Sequence, residues 1–183
     1  MSKLDILVTR RLTLRPPLEV DAEPMALALA NPNTARMLSH VPNPYTVEDA
    51  LEFIKGTREK GAYFSIYRQR FLGVVSIRPA HGKEANLGYW LEQSAWGQGY
   101  MSEATRAVVS WYFSKTDAPA IQSGYYEDNP ASAAVLDKLG FQPVGEGRQD
   151  NATRKTSVKT ISMELTQERF NAIYGEPNNT VAA

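Results

Sequence analysis

The sequence predicts a mixed α/β or α+β domain organised on one sheet, and three observations predict it. Strand-like segments come in runs early in the chain and alternate with helical segments later, the pattern of a mixed sheet. The helical segments carry start and stop residues at their ends. The length of 183 residues, 43% of them hydrophobic and 22% charged, fits one compact core rather than two. No repeat or linker divides the chain, so residues 1–175 are read as one domain and 176–183, with little to bury, as a frayed tail.

Residues 9–15 alternate Leu12 and Leu14 with polar side chains and stop at Pro16-Pro17, as a strand does. Residues 21–30 follow helical spacing, with Asp21 as N-cap and Asn31-Pro32 as the stop. Residues 33–45, which contain the run VPNPY, read as loop or broken helix. Thr46 caps a second helix, striped by Val47, Ala50, Leu51 and Ile54 and ending near Gly61. Three strands follow at 62–67, 72–78 and 86–92, the first two joined by the short polar turn RQR. In the third, Leu87, Tyr89 and Leu91 share one face, and Asn86, Gly88, Trp90 and Glu92 share the other. A helix over 99–115, a strand over 120–126, a helix over 130–139 and strands over 141–145 and 158–165 complete the order.

Composition narrows the function classes. Twenty basic residues balance twenty acidic ones, whereas a general binder of nucleic acid or anionic membrane is distinctly basic, so neither partner is expected. Cysteine is absent, which excludes disulfides, thiol nucleophiles and thiolate metal sites and agrees with a cytoplasmic location. His40 and His81 are the only imidazoles, and no metal is expected. The start, MSKLDILVTRR, lacks the apolar core of a signal peptide, and no stretch approaches the roughly 20 apolar residues of a membrane span. Both a monomer and a homodimer fit the composition.

Two segments carry chemistry. In WLEQSAWGQGYMSEA, Gly97 and Gly99 let the main chain approach a ligand, and the helix that starts near Gly99 presents unpaired amides and a positive dipole end. Together they suit a pyrophosphate, although a glycine-rich connection alone has the same pattern. In DNPASAAVLDKLGF, Asn129 is a good N-cap, Pro130 suits the first helical position and Gly140 the position that ends the helix. Ser132 falls on the inward stripe with Val135, Leu136 and Leu139, either for chemistry or as a small residue where helix meets sheet.

With TRRLTLRP and the closing strand VKTISMEL, these motifs resemble the GNAT superfamily of acetyl-CoA-dependent N-acyltransferases, in its order and spacing over nearly the whole chain. Within it the chain is most similar to the ribosomal-protein N-terminal-alanine acetyltransferase branch. The resemblance implies a mostly antiparallel twisted sheet, splayed in the middle and flanked by helices, with acetyl-CoA in the opening as co-substrate. It implies that main-chain groups of Leu91, Glu92 and Gln93 pair with the pantetheine arm. The amides of Gly97, Gln98, Gly99, Tyr100, Met101 and Ser102 would receive the pyrophosphate, Asn129 would hold the arm near the thioester, and Ser132 would stand beside the sulfur.

Departures bear on the roles. The superfamily's phosphate loop is written Gln/Arg-x-x-Gly-x-Gly/Ala, and of Trp96, Gly99 and Met101 only Gly99 matches, so no polar role falls to Trp96. Leu136 stands where many members have a tyrosine acid, which makes Ser132 the candidate acid. Asn86 stands where members often carry an acidic base. Glu84, Glu92, Glu103 or a water remain for that role, and Glu103 equally suits the helix dipole. The loop between the first two helices, where the branch forms a wall of its acceptor opening, offers Arg36, His40 and Tyr45.

The implied reaction is direct attack of a neutral amine on the thioester, with positioning, amide donors and a proton for the leaving sulfur supplying the catalysis. An α-amine of pKa about 7.7–8.0 is roughly a tenth neutral at pH 7, against well under a thousandth for a lysine near 10.4. Without a clear base, α-amines are favoured. A protein N-terminus, a small amine such as a polyamine, amino acid or aminoglycoside, and a non-catalytic CoA-binding role stay open. A strongly acidic cleft would favour polyamines or aminoglycosides.

Overall fold

A computed structural model describes residues 5–39, 41–79 and 85–175. The chain opens with a short hairpin, β1 (Leu7–Val8) against β2 (Thr13–Arg15). The single strand expected over 9–15 is interrupted because Thr9 bonds across to Leu12, its amide to the carbonyl at 2.9 Å and its hydroxyl to the amide at 3.0 Å. After a turn of 3-10 helix, α1 (Ala22–Leu29) follows, then the one-turn α2 (Pro32–Ala35), capped by Asn31 through the Asn33 amide at 2.9 Å. α3 (Val47–Lys60) starts at Thr46 with a reciprocal cap: Thr46 accepts from the Asp49 amide and Asp49 from the Thr46 amide.

β3 (Ala62–Arg68), β4 (Arg70–Pro79) and β5 (Ala85–Leu91) form an antiparallel meander behind β2. α4 (Tyr100–Lys115) then crosses over to β6 (Ala120–Tyr126), which runs parallel to β5. α5 (Pro130–Leu139) leads into a long hairpin, β7 (Gln142–Asn151) and β8 (Thr156–Thr166), and α6 (Gln167–Tyr174) closes the described chain. The sheet order is β1-β2-β3-β4-β5-β6-β8-β7, antiparallel except at β5–β6.

Alternation along the strands sends side chains to two cores. Phe64, Ile66, Leu72, Val75, Ile77, Leu87 and Leu91 pack beneath α4, α5 and α6 with Val108, Leu136 and Phe170. Tyr63, Phe71 and Val74 pack on the other face against Met25 and Leu29 of α1 and Ala50 and Ile54 of α3.

Asp21 occupies the N-cap position of α1, as expected, but its side chain makes no capping bond. The carboxylate is fully buried and accepts from Arg15 (2.6 and 3.0 Å), Ser65 (2.7 Å), Tyr67 (2.6 Å) and the Leu18 amide (3.0 Å). It fastens α1 to β2 and β3. The tail expected to fray, 176–183, lies outside the described residues.

The feature that positions the site is a fork. β5 and β6 pair only at Ala85↔Ile121 and Asn86↔Gln122. Beyond that point the Ser123 hydroxyl donates to the Leu87 carbonyl at 2.9 Å, and the strands part.

Candidate active site

The fork opens into a cleft of about 970 Å³, at the upper end of the range for ligand pockets. Its floor is the edge of β5. The Glu92 amide donates to the Leu72 carbonyl at 2.8 Å, so by antiparallel alternation Trp90 and Gly88 also face β4. The main-chain groups of Tyr89 and Leu91 therefore point into the opening. Of the expected pairing residues Leu91, Glu92 and Gln93, only Leu91 lines the cleft, together with Tyr89. Glu92 is committed to β4, and the Gln93 side chain accepts from Asn31 at 2.8 Å and Asn33 at 3.1 Å. Trp96 has a polar role after all, its indole N–H donating to the Leu91 carbonyl at 2.8 Å.

One end of the cleft is the glycine loop. Gly97 and Gly99 have φ of 72° and 75°, left-handed values that non-glycine residues rarely adopt, and a Cβ on Gly97 would meet nothing within 4 Å. The first α4 amide to find a carbonyl one turn back is that of Glu103, on Gly99 at 3.2 Å. The amides of Tyr100, Met101 and Ser102 precede it and are the unpaired first turn, with the positive end of the helix dipole behind them. Gly97, Gly99, Tyr100, Met101 and Ser102 all line the cleft.

The loop is braced by a residue to which the sequence reading gave no role of its own. Arg11, from TRRLTLRP, donates to Glu103 at 2.6 Å and to the Gln98 carbonyl at 2.9 Å, and stacks over the Tyr100 ring at 4.6 Å. Thr9 and the Arg11 amide also donate to Glu103, at 2.6 and 2.8 Å. Burial pushes the Glu103 carboxyl up, but these bonds outweigh it and hold the group below the ordinary carboxylate range. Glu103, one of the candidate bases, is thus an ion-paired tie between β1–β2 and α4, and it is not among the cleft-lining residues. Glu92 is occupied in the same way by Arg70 and by Ser94, which donates at 2.7 Å. Glu84 lies outside the described residues.

The opposite wall is the start of α5. Asn129 accepts the Ser132 amide at 3.2 Å through its side-chain oxygen, which caps the helix and leaves its NH₂ available to a ligand. Ser132 lines the cleft, and its hydroxyl is 2.9 Å from the hydroxyl of Tyr89, which also donates to the Ser132 carbonyl at 3.1 Å. Burial holds the Tyr89 hydroxyl well above the ordinary phenol range, a shift that the bond to Ser132 opposes. Tyr89 was legible only as a member of an inward face. An aromatic hydroxyl two residues from Leu91 and opposite Ser132 was the signal.

The expected acceptor residues separate. Arg36 pairs with Asp128 at 3.3 Å at the cleft's rim. Tyr45 belongs to the other face of the sheet, packed with the α1–α3 core, its hydroxyl 3.9 Å from the Met25 sulfur and its pKa pushed by burial to about 12. The resemblance had placed it at the acceptor opening, yet the ring packs among apolar side chains of that core. His40 lies outside the described residues. In their place Thr34, Met37, Leu38 and Ser39 line the cleft opposite Gln149, Thr160 and Ser162 of the β7–β8 hairpin. Asn151 and Arg154 lock the two walls together: the Asn151 amide donates to the carbonyls of Arg36 and Leu38, and Arg154 bonds Asp128 at 2.8 Å and the Arg36 carbonyl at 2.8 Å.

The site's geometry is that of a strand gap with an anion loop at one end and a hydroxyl pair in the wall. The family described as Acetyltransferase (GNAT) domain matches residues 11–142. The uncharacterized N-acetyltransferase YoaA of Bacillus subtilis is 30% identical over 154 residues, covering 79% of this chain and 86% of that protein. The ribosomal-protein-serine acetyltransferase of Escherichia coli is 31% identical over 103 residues, 51% of this chain and 57% of its own. Among solved structures, the RimL ribosomal L7/L12 α-N-protein acetyltransferase in complex with coenzyme A superposes with a TM-score of 0.78 at 24% identity, covering 88% of this chain and 98% of that one. The microcin C7 self-immunity acetyltransferase MccE, in complex with acetyl-CoA and AMP, gives 0.76 at 22% identity, covering 86% and 93%. These likenesses carry the expected fold, and the chain belongs to the GNAT family of N-acetyltransferases.

Proposed function

We propose that this enzyme transfers the acetyl group of acetyl-CoA directly to the α-amine of a peptide or protein N-terminus. The pantetheine arm takes the place of a strand beside Tyr89 and Leu91, the pyrophosphate lies on the amides that follow Gly97, and the Asn129 side chain holds the arm. The amine attacks the thioester carbonyl, the C–S bond breaks, and the departing sulfur takes a proton from the Ser132 hydroxyl, which regains one from solvent water. The proton lost by the nitrogen passes to water.

One observation carries the choice of acceptor. Among the described residues, Asp128 is the only carboxylate lining the cleft, and it is paired with both Arg36 and Arg154. A polycationic acceptor would find no unpaired acid there, and Arg78 and Lys138 line the same space. With Glu92 and Glu103 also ion-paired, an acceptor that is partly neutral at pH 7 fits best, which is the property of an α-amine. Support also comes from the protein-acetylating relatives named above.

A turnover screen tests this reading, with release of free CoA measured over short peptides, polyamines, amino acids and aminoglycosides. Peptides with a free N-terminus should turn over fastest, and blocking the N-terminus should abolish activity even when a lysine is present. Faster turnover of polyamines or aminoglycosides would overturn the assignment.

Two substitutions test the two ends of the cleft. Gly99→Val places a β-branched side chain at φ 75° with its Cβ 3.4 Å from Arg11. Acetyl-CoA affinity should fall at least about tenfold in calorimetric titration, equivalent to ~1.4 kcal/mol, with the protein still folded. At the other end, Leu38→Ala or Gln149→Ala should raise KM for the peptide about fivefold, the loss of roughly 1 kcal/mol of contact. KM for acetyl-CoA should stay within about twofold on the same reading of uniform binding. Equal effects on both constants would remove these walls from the acceptor site.

A further inference from the structure

We propose that Tyr89 is a positioning residue that sets the direction of the Ser132 proton. The inference rests on the role of Ser132 given above and adds a residue to it. Tyr89 has one O–H and two acceptors within reach, the Ser132 carbonyl at 3.1 Å and the Ser132 hydroxyl oxygen at 2.9 Å. Two arrangements of protons satisfy this geometry. In one, Tyr89 donates to the carbonyl and Ser132 donates to Tyr89, so that the serine proton points away from the ligand. In the other, Tyr89 donates to the serine oxygen, and the serine proton is released toward the cleft that both residues line. A hydroxyl both donates and accepts, so a rotation of the two O–H bonds interconverts the arrangements without moving a heavy atom.

The second arrangement is the one that reacts. As the C–S bond breaks, negative charge grows on sulfur and draws the serine proton outward. Tyr89 then follows onto the serine oxygen and stabilises the charge that collects there while the proton passes to sulfur. Once the thiol has formed, the serine oxygen regains a proton from solvent water, and Tyr89 ends the cycle as a phenol, since its buried surroundings oppose a phenolate. The phenol is placed for this by β5: Tyr89 shares the inward face with Leu87 and Leu91, on the strand whose edge forms the floor of the cleft.

The test is a double-mutant cycle on full-length enzyme with acetyl-CoA and the best peptide of the screen. Tyr89→Phe keeps the ring in its packing and removes only the oxygen. It should lower kcat about tenfold, within the span of general acid catalysis, while KM for acetyl-CoA and Tm change little. In the Ser132→Ala background, Tyr89→Phe should cause no further loss, because the proton it directs is already gone. Normal kcat in Tyr89→Phe beside a slow Ser132→Ala would overturn the role of Tyr89 and leave the acid in place. Normal kcat in Ser132→Ala would overturn the acid itself. Losses that multiply in the double variant would make Tyr89 act independently of Ser132 and would also overturn the inference. Should Tyr89→Phe melt much lower, fluorotyrosine at position 89 supplies the second measurement. Restoring the hydroxyl should restore kcat, and a persistent defect would count against the proposal.

Discussion

Ser132→Ala is expected to lower kcat at least about tenfold and, where chemistry limits the rate, by up to the ~10²–10⁴ typical of a lost proton donor, or roughly 3–5 kcal/mol of barrier. The structure makes this variant a clean one. Asn129 caps α5 through the Ser132 amide and Tyr89 donates to the Ser132 carbonyl, and both are main-chain groups that alanine retains. Alanine also has the higher helix propensity. Acetyl-CoA affinity and Tm should therefore hardly move. Near-normal turnover, measured under conditions in which the chemical step is rate-limiting, would make Ser132 a packing residue.

Asp21→Ala is expected to destabilise the protein by about 3–5 kcal/mol, the cost of leaving a buried partner charge uncompensated. That is a large share of the ~5–15 kcal/mol by which folded domains are stable, and in a chain of this size it should lower Tm by roughly 6–20 °C. The loss falls on Arg15, Ser65 and Tyr67 at once, since each gives its hydrogen bond to the same carboxylate. The same group links stability to pH. Burial pushes the Asp21 carboxyl up, but the bonds from Arg15, Tyr67, Ser65 and the Leu18 amide outweigh it, so the folded value lies below the unfolded one. A depressed carboxylate contributes its stability fully above the unfolded value of about 3.9 and loses it as pH falls through the folded one. The wild type should thus lose stability below about pH 4 more steeply than Asp21→Ala. Parallel acid-denaturation curves would count against the network as the source.

Local signals made much of this legible. Thr46 announced α3, Gly99 the start of α4, and Asn129-Pro130 with Gly140 bracketed α5, because caps act within a few residues. What stayed illegible depended on distant partners. α6 buries only Phe170, and its stripe of Phe170, Ile173 and Tyr174 spans barely one turn. β7 is exposed along nearly its whole length and reads GEGRQDN, without apolar alternation, so it was taken to end at 145 rather than Asn151. It is a strand because β8 pairs with it.

The site divides in the same way. Gly97, Gly99, Asn129 and Ser132 belong to contiguous motifs, and all of them line the cleft. Tyr89 lies 43 positions from Ser132, and Glu103 lies 92 from Arg11, so neither the hydroxyl pair nor the ion pair that occupies the expected base has a sequence period. Tyr45 was offered because the resemblance places its loop at the acceptor opening, yet its half-buried ring packs with the α1–α3 core on the other face of the sheet.

The place of β8 between β6 and β7 has a consequence for how the chain is made. β8 is the last strand in sequence yet an interior one in the sheet, pairing with β6 from Ala120↔Thr166 to Tyr126↔Thr160 and with β7 along its other edge. A nascent chain that has emerged only as far as α5 already holds β1 to β6, with one open edge on β6 and no strand to cover it. The β6 prong of the fork then has no partner on its outer edge. That partner arrives only when Thr156–Thr166 leaves the ribosome and slots in, bringing Met163 and Leu165 into the core. A product cut short near residue 155 would carry the glycine loop and Ser132 intact and still expose a long unpaired strand, the surface that quality control and aggregation both read.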